Sequence, residues 1–340
     1  MSAARDHKVV MNIRQILFPV SAALALFCVG GCADKAPPAS PAPAAAPAAR
    51  GDILIDDKDV FPESVTSTAD GAVISGSMKG ILYRAGPQEA VAKAWIHPTQ
   101  ENGLLAAFGV LAHDASQTLW VCSVPNPFQR PPGEAAKPAP SSLVAFDLRD
   151  GTHKGTYQFP APGGVCNDIA VGADGSVYAT DTPGGRILRL APGASELTVW
   201  GEHEQLKGID GIAFSEEGVM YVNIVTTGKL LRVATNPDGS MGAITELRLS
   251  QPISGPDGMR PISGNRFLLA EGPAGRISEV TIEGDAANIR VLREGLNGSP
   301  GVTLVGDTAY AIEGKIGYLI DPKLKGQDPG AFTIYAIPVN

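Results

Sequence analysis

The chain has 340 residues, of which 40 are glycine and 28 proline, and charged residues make up only 18%. This composition favours many short strands joined by tight turns, and no pattern of long amphipathic helices is visible. The formal charge of −8 and the scattered Lys and Arg residues leave no basic patch for phosphates, so nucleic acid is excluded as an expected partner.

The first segment, residues 1–32, has the pattern of a bacterial export signal. Arg14 precedes an apolar stretch that is rich in Ala and Leu and too short for a membrane span. The run Val-Gly-Gly-Cys32 then resembles the lipobox that lipoprotein signal peptidase cuts, which predicts lipidation of Cys32. An ordinary cleaved signal with an incidental cysteine is the alternative. Translation starts at either Met1 or Met11.

Residues 33–51 read as a linker, since Ala and Pro occupy nearly every position from Ala36 to Arg50. Such a segment cannot bury a core and behaves as a semi-rigid spacer. We therefore expect residues 52–340 to form a periplasmic domain that meets the membrane only through its lipid anchor. Ala33 after the cysteine favours the outer membrane.

The sequence of the mature chain contains internal repeats. In four segments a polar residue opens a short strand, and a Gly or Asn eight positions later lies in a turn that leads into a second strand. A third strand follows, entered through a glycine at which the hairpin requires positive φ. The openings are residues 63–71, 167–175, 210–218 and 257–265; the second strands are 72–76, 176–181, 219–223 and 266–271; the third strands are 80–84, 185–190, 228–233 and 275–280.

Two degenerate copies complete the pattern. Residues 109–123 with 142–148 fill the second slot, and residues 300–313 with 316–321 fill the sixth. The six openings, at positions 63, 109, 167, 210, 257 and 300, lie 43 to 58 residues apart, which is the period of a propeller blade.

We predict an all-β fold, a six-bladed β-propeller. The longest interval contains a Pro-rich insertion, residues 125–141, which is expected to be a surface loop. Residues 52–61 and 332–338 remain as outer strands, and pairing them in one blade would close the ring. A β-sandwich has the same strand content but does not account for the repeated opening.

The polar openings converge in this fold, because the first strand of each blade lines the central axis. Glu63, Asn167, Asp210 and Asp257 are therefore predicted to meet at one mouth. Three carboxylates in a narrow channel repel one another unless a cation is bound or a proton is held. Ligation by oxygen alone indicates one hard divalent cation, with calcium ahead of magnesium, zinc and manganese. Alternatively, each residue is a turn former that bonds its own backbone.

Three further polar residues end second strands near the same mouth: Asp181, Asn223 and Glu271. They are candidates for orienting the ligands from behind, as is common around metal sites. The alternative is that they are polar strand ends in solvent.

Residues outside this predicted metal site give little support for other catalytic chemistry. His113 lies in the degenerate second blade and is interpreted as structural rather than as a catalytic base. Cys122 and Cys166 fall in adjacent blades, and both a disulfide and two free thiols remain open in an oxidising compartment. No Cys-x-x-Cys, Gly-x-Ser-x-Gly or phosphate-binding Gly-rich motif is present, which argues against redox, serine-hydrolase and nucleotide chemistry.

Several motifs resemble one known family. They are Phe-Pro-Glu63, Cys-Asn167-Asp168-Ile-Ala followed by Tyr-Ala-Thr-Asp181, Asp210-Gly-Ile-Ala-Phe and Pro-Asp257-Gly. Across nearly the whole mature chain the sequence is similar to the gluconolactonase, senescence-marker-protein and luciferin-regenerating-enzyme-like six-bladed propellers.

The resemblance implies a metal held by Glu63, Asn167 and Asp257, with Asp257 as general base, and metal-dependent hydrolysis of a sugar lactone or a similar cyclic ester. Where the family commonly has Asn-Gly on the fourth blade, this chain has Asp210-Gly, which adds a negative charge that can tighten calcium or hold a proton. The expected partner is a small-molecule substrate, and no feature predicts an oligomeric state. The competing hypothesis is a non-catalytic, metal-stabilised propeller that binds a small ligand or an envelope protein.

Overall fold

The computed structural model of the protein describes residues 50–126 and 140–339. The predicted signal peptide, the alternative starts, Cys32 and nearly all of the linker lie outside the described residues, as does most of the Pro-rich insertion. Within the described ranges, no helix is long and apolar enough to cross a membrane.

Strands dominate the structure and form six blades around a common axis, each built on four antiparallel strands. The chain begins with β1 (Ile53–Ile55), which belongs to the last blade. Blade 1 contains β2 (Val65–Ser67), β3 (Val73–Ser75), β4 (Leu82–Ala85) and β5 (Val91–Ile96); blade 2 contains β6 (Ala106–His113), β7 (Thr118–Val124), β8 (Ser142–Asp147) and β9 (His153–Gln158); blade 3 contains β10 (Cys166–Val171), β11 (Val177–Asp181), β12 (Arg186–Leu190) and β13 (Thr198–Glu202).

The second half of the ring repeats this arrangement. Blade 4 contains β14 (Ile209–Phe214), β15 (Met220–Ile224), β16 (Lys229–Thr235) and β17 (Met241–Glu246); blade 5 contains β19 (Pro256–Ser263), β20 (Arg266–Glu271), β21 (Arg276–Glu283) and β22 (Ala286–Arg293), with β18 (Arg248–Leu249) added along β22; blade 6 contains β23 (Val302–Val305), β24 (Thr308–Ile312), β25 (Phe332–Pro338) and β1. Short helical turns cover Asp114–Ser116, Glu204–Leu206 and α1 (Gly317–Ile320). The innermost strands contact one another in a closed circle from β2 through β6, β10, β14 and β19 to β23 and back to β2.

The ring closes through the first strand, as predicted. β1 pairs antiparallel with β25, with Ile53 opposite Ile334, and it also runs parallel to β5 of blade 1. Blades 6 and 1 therefore share one continuous sheet, which leaves no unpaired edge at the seam.

A carboxylate just after β1 reinforces this seam. Burial alone would raise the pKa of Asp57, but hydrogen bonds from the Tyr83 hydroxyl, from the backbone amides of Lys58 and Asp59 and from Lys79 lower it to about 2. The Tyr83 Oη to Asp57 Oδ2 distance is 2.5 Å. Asp57 thus connects the segment after β1 to blade 1 as an ion.

The prediction of a third strand at residues 316–321 in blade 6 is wrong. Residues 316–321 contain the helical turn α1 in place of a third strand, and β25 occupies the third position. Ile-Gly-Tyr-Leu-Ile-Asp is a short apolar run, and periodicity alone does not separate a buried strand from a buried helical turn in such a run.

The innermost strands of blades 2 to 5 each contain a β-bulge at the same point. The pairing register with the second strand skips between Ala107 and Val110 in blade 2, and the skips in blades 3, 4 and 5 are equivalent. A bulge inserts one extra residue and redirects a side chain. These bulges hold the predicted ligands of blades 3, 4 and 5, namely Asn167, Asp210 and Asp257.

Glycines let neighbouring bulges touch. A Cβ on Gly109 would overlap the carbonyl oxygen of Asn167, and a Cβ on Gly211 would overlap that of Asp257. Only glycine fits where one backbone approaches the next so closely. The close contact therefore brings the bulge residues of successive blades together at the mouth.

Candidate metal centre at the axial mouth

Three of the four predicted ligands lie next to one another. Asn167 Nδ2 donates to Asp210 Oδ2 at 2.8 Å, and the carboxyl groups of Asp210 and Asp257 are close enough for each to shift the pKa of the other. Asn167 and Asp210 are buried, whereas Asp257 and Glu63 keep part of their surface in solvent. Glu63 faces this group closely enough for its charge to act on Asp257. The structure therefore places all four residues at one end of the channel.

Their electrostatics show an excess of negative charge. Burial, followed by the charges of Asp210 and Asp168, raises the pKa of Glu63 well above its ordinary value. Burial and the Asp168 charge raise the pKa of Asp210 to about 8, although hydrogen bonds with Asp257 and Asn167 oppose that rise. Burial and the charges of Asp210 and Glu63 raise the pKa of Asp257 well above the usual range. The group therefore requires either bound protons or a cation to balance its charge.

Unsatisfied acceptors at the mouth fit a hard cation. Asp210 Oδ1 is buried without a hydrogen-bond partner, and none of the described residues donates a hydrogen bond to the Glu63 carboxylate. Carboxylate and amide oxygens are the donors that calcium and magnesium prefer. Rotation of the Asn167 amide, whose nitrogen faces Asp210, would present its oxygen in the same direction. The donor chemistry of the site thus fits a divalent cation.

The group is not a closed cage as it stands. Within the described ranges, no three His, Cys, Asp or Glu side chains lie close enough together to hold a metal ion by themselves. Mutual repulsion among uncompensated carboxylates favours such spacing. Ligation would therefore need small side-chain movements and the oxygen of Asn167.

A buried ion pair below the mouth was missed by the sequence reasoning. Arg260 Nη1 lies 2.9 Å from Asp168 Oδ2, and both side chains are more than nine-tenths buried. Arg260 Nη2 also donates to the carbonyl oxygen of Val110 at 3.1 Å, and Asp168 Oδ2 accepts from the amide of Ile212 at 3.2 Å. The pair therefore joins blades 2, 3, 4 and 5 across the channel. Asp168 stands where four other blades have glycine, a difference that is visible in the repeats.

One of the three candidate supporting residues contacts the ring directly. Asn223 Nδ2 donates to the carbonyl oxygen of Asp257 at 2.6 Å, and its Oδ1 accepts from the amide of Gly211 at 3.2 Å. Thr180 occupies the equivalent position in blade 3 and donates to the carbonyl oxygen of Asp210 at 2.8 Å. These second-strand side chains hold the bulge of the next blade in position.

A disulfide makes the same connection between blades 2 and 3. Cys122 in β7 is bonded to Cys166 in β10, with the Cα atoms 5.2 Å apart. This settles the alternative that the sequence left open. Cys122 occupies the position of Thr180 and Asn223, and Cys166 immediately precedes Asn167, so a covalent bond fixes the Asn167 bulge from behind.

The other two candidate supporting residues bond elsewhere. Asp181 pairs with Arg186 at 2.6 Å, and Glu271 pairs with Arg276 at 2.5 Å. Each carboxylate also accepts a backbone amide from the loop that leads into its innermost strand, from Val165 in blade 3 and from Ser254 in blade 5. Neither of them hydrogen-bonds any of the four axial residues. Asp181 and Glu271 therefore act on the ligands only through these loops.

The ring has two apolar members. The bulge register puts Phe108, and not the predicted Gly109, at the ligand position of blade 2. Pro300 occupies the position in blade 6, where it accepts a hydrogen bond from the Gly258 amide at 2.9 Å.

His113 is remote from this mouth. His113 lies at the opposite end of β6, where Nδ1 bonds Ser116 Oγ at 2.8 Å. It lines a cavity of about 160 Å³ at the other mouth, together with Arg260. A groove of about 550 Å³ beside blade 3 is lined by Val165, Arg186 and Lys207 among others, but by none of the four axial residues.

Comparisons with known proteins agree on the fold. No protein-family model and no curated protein sequence matches the chain. Among solved structures, a gluconolactonase-type protein superposes with a TM-score of 0.60 at 16% identity, covering 88% of this chain and 93% of that one. A gluconolactonase from Xanthomonas campestris gives 0.58 at 16% identity, with 83% and 87% covered. An inactive His-to-Ala variant of virginiamycin B lyase from Staphylococcus aureus with quinupristin gives 0.57 at 15%, with 84% and 83% covered.

The protein is therefore a β-propeller, and the six blades described above form one closed ring. Its fold is shared by propellers that include gluconolactonases, a luciferin-regenerating enzyme and virginiamycin B lyase.

Proposed function

We propose that this protein is a metal-dependent hydrolase that opens lactones at the axial mouth. The observation that carries the proposal is the convergence of Glu63, Asn167, Asp210 and Asp257, with a buried carboxylate oxygen of Asp210 left without a partner. The gluconolactonases among the structural neighbours support the same reaction class.

The four axial residues would hold the cation, calcium first and magnesium, zinc or manganese otherwise. A divalent cation bound there supplies a Lewis acid for the lactone carbonyl and balances the negative charge that develops on its oxygen. Glu63, Asn167 and Asp210 act as ligands. The Arg260 guanidinium below them compensates Asp168, so that this fourth carboxyl group does not add its full charge to the site.

Asp257 is the proposed general base. The residue is partly exposed, and its backbone carbonyl accepts a hydrogen bond from Asn223. A water oxygen attacks the carbonyl carbon while Asp257 takes the water proton. The ring C–O bond then breaks, and Asp257 returns that proton to the leaving alkoxide, giving the open hydroxy acid.

Hydrolysis is favoured over a histidine-dependent elimination. The lyase among the neighbours loses activity when one histidine is replaced. In this chain the histidines of the described residues are His97, His113, His153 and His203, and none of them hydrogen-bonds or pairs with an axial residue. Carboxylates and an amide are therefore the groups that remain for chemistry at the mouth.

We also propose that the protein works in the periplasm, exported by residues 1–32 and anchored by lipid on Cys32, with the outer membrane as the expected site. The Cys122–Cys166 disulfide supports an oxidising compartment, because such bonds persist there and are rare in the cytosol of mesophiles. Mass spectrometry of the mature N-terminus tests the lipid. An unmodified or intact N-terminus would contradict the anchor.

The test of function is a lactone panel on the chain from Ala33 onward, which lacks the lipid-bearing Cys32, assayed metal-free and with each of the four cations. The comparison is Asp257→Asn against Asp238→Asn, an equally conservative change at an exposed turn carboxylate that bonds only Ser240. We expect hydrolysis that requires a cation, is lost in Asp257→Asn and survives in Asp238→Asn. Bound cation with no hydrolysis of any lactone would instead favour the non-catalytic, metal-stabilised binding protein.

A further inference from the structure

The six residues around the mouth differ in polarity from blade to blade. Blades 3, 4 and 5 contribute Asn167, Asp210 and Asp257 in succession. On the other side Glu63 stands between two apolar positions, Phe108 in blade 2 and Pro300 in blade 6. A ligand centred on the axis would therefore meet oxygen donors from blades 1, 3, 4 and 5 and carbon at blades 2 and 6.

Phe108 is the exposed part of this apolar side. The innermost strand around it is buried, with Ala106 and Ala107 at 2% exposure or less and Val110 at 0%, whereas Phe108 keeps part of its surface accessible. The phenyl ring of Phe108 packs against the core between blades 6 and 1 and also against the core between blades 2 and 3. It is therefore held between two packed clusters at the ligand position of blade 2 while part of its surface stays accessible.

The position of Phe108 relative to the proposed base follows from the number of blades. Blades 2 and 5 are three steps apart in a ring of six, so Phe108 lies on the side of the axis opposite Asp257. Pro300, in contrast, is buried and bonded to the neighbouring Gly258 amide through its carbonyl. A lactone whose carbonyl lies near Asp257 would extend its substituents across the mouth toward Phe108.

We propose that Phe108 forms the apolar wall of the substrate site, and that the protein prefers lactones with an aromatic or alkyl substituent over polyhydroxylated sugar lactones. This inference rests on the proposed function and narrows its substrate. Sugar hydroxyls placed against a phenyl ring would lose hydrogen bonds to water without replacement, whereas an apolar substituent gains by leaving water.

The experiment compares a phenyl-substituted δ-lactone with glucono-δ-lactone in calcium-loaded wild type, Phe108→Ala and Phe108→Leu. Leu105→Ala is the matched control, because Leu105 is 44% exposed and precedes the same strand. We expect wild type to prefer the phenyl lactone. Phe108→Ala should lower kcat/KM for the phenyl-substituted lactone about tenfold, mainly through a higher KM. The same variant should change kcat/KM for glucono-δ-lactone less than twofold. Phe108→Leu keeps an apolar side chain for folding and should fall in between.

Two results would overturn the inference: a wild-type preference for gluconolactone, or a substrate ratio that does not change in Phe108→Ala while the circular dichroism spectrum is native. Failure of the hydrolase proposal is distinguishable by binding. If no lactone is turned over, calorimetry with the stable phenyl-substituted δ-lactam still tests the wall. Binding that weakens about tenfold in Phe108→Ala supports the inference, and binding that is absent or unaffected overturns it.

Discussion

Removing the Cys122–Cys166 disulfide should destabilise the ring and loosen its mouth at the same time. The bond joins residues separated by 44 positions, and the loop-entropy relation for a closed loop of this length gives about 4 kcal/mol of stabilisation. For a folded unit of this size, that loss corresponds to a fall of roughly 7 °C in Tm. Because Cys166 precedes Asn167, we also expect weaker calcium binding.

The assay is thermal and urea unfolding of Cys122→Ser/Cys166→Ser beside wild type, with calcium titration calorimetry on both. The oxidised and reduced wild type provide a second comparison in which the sequence is unchanged. Equal Tm values for oxidised wild type and the double variant, both measured without a thiol-blocking reagent, would refute the reasoning. A fall in Tm with unchanged calcium affinity would refute only the link to the Asn167 bulge.

Three further changes test the architecture behind the site. Arg260→Leu leaves the buried Asp168 charge unpaired and should cost about 3 to 5 kcal/mol in urea unfolding, a loss that Arg260→Lys should reduce. Asn223→Ala removes both hydrogen bonds of a buried amide, one of them to the Asp257 carbonyl, and should cost about 2 to 3 kcal/mol and weaken calcium binding in calorimetry. The pKa of Asp57 is lower in the folded than in the unfolded protein. Its carboxylate therefore adds about 2 kcal/mol to the free energy of unfolding above pH 4, and this contribution is lost as the pH falls toward 2. In Asp57→Asn the acid-induced loss between those pH values should shrink by that amount, and an unchanged loss would contradict the assignment.

The fold was predictable because the chain repeats a simple local pattern. A polar opening followed eight residues later by a turn residue, and a glycine before the third strand, located blades 1, 3, 4 and 5 from the sequence. The ring closure followed from counting the strands that were left over. The pattern failed at residues 316–321, where a short apolar run carried no periodicity that distinguishes a helical turn from a strand.

The site was predictable only in part, because its geometry depends on bulges. A period-two pattern does not reveal an extra residue, so blade 2 was aligned on Gly109, one position past Phe108. The Asp168–Arg260 pair joins residues 92 positions apart, and no local pattern relates them. Asn223 and Asp181 looked alike as polar residues at strand ends. They differ because one faces the next blade and the other faces an arginine in its own hairpin.

The most direct test of the account is lactone hydrolysis measured on one preparation before and after metal removal and calcium restoration, with Asp257→Asn in parallel. The account predicts activity that disappears with the metal and returns with calcium, and an Asp257→Asn protein that is folded but inactive. Hydrolysis that survives metal removal, or that is unaffected in Asp257→Asn, would contradict it.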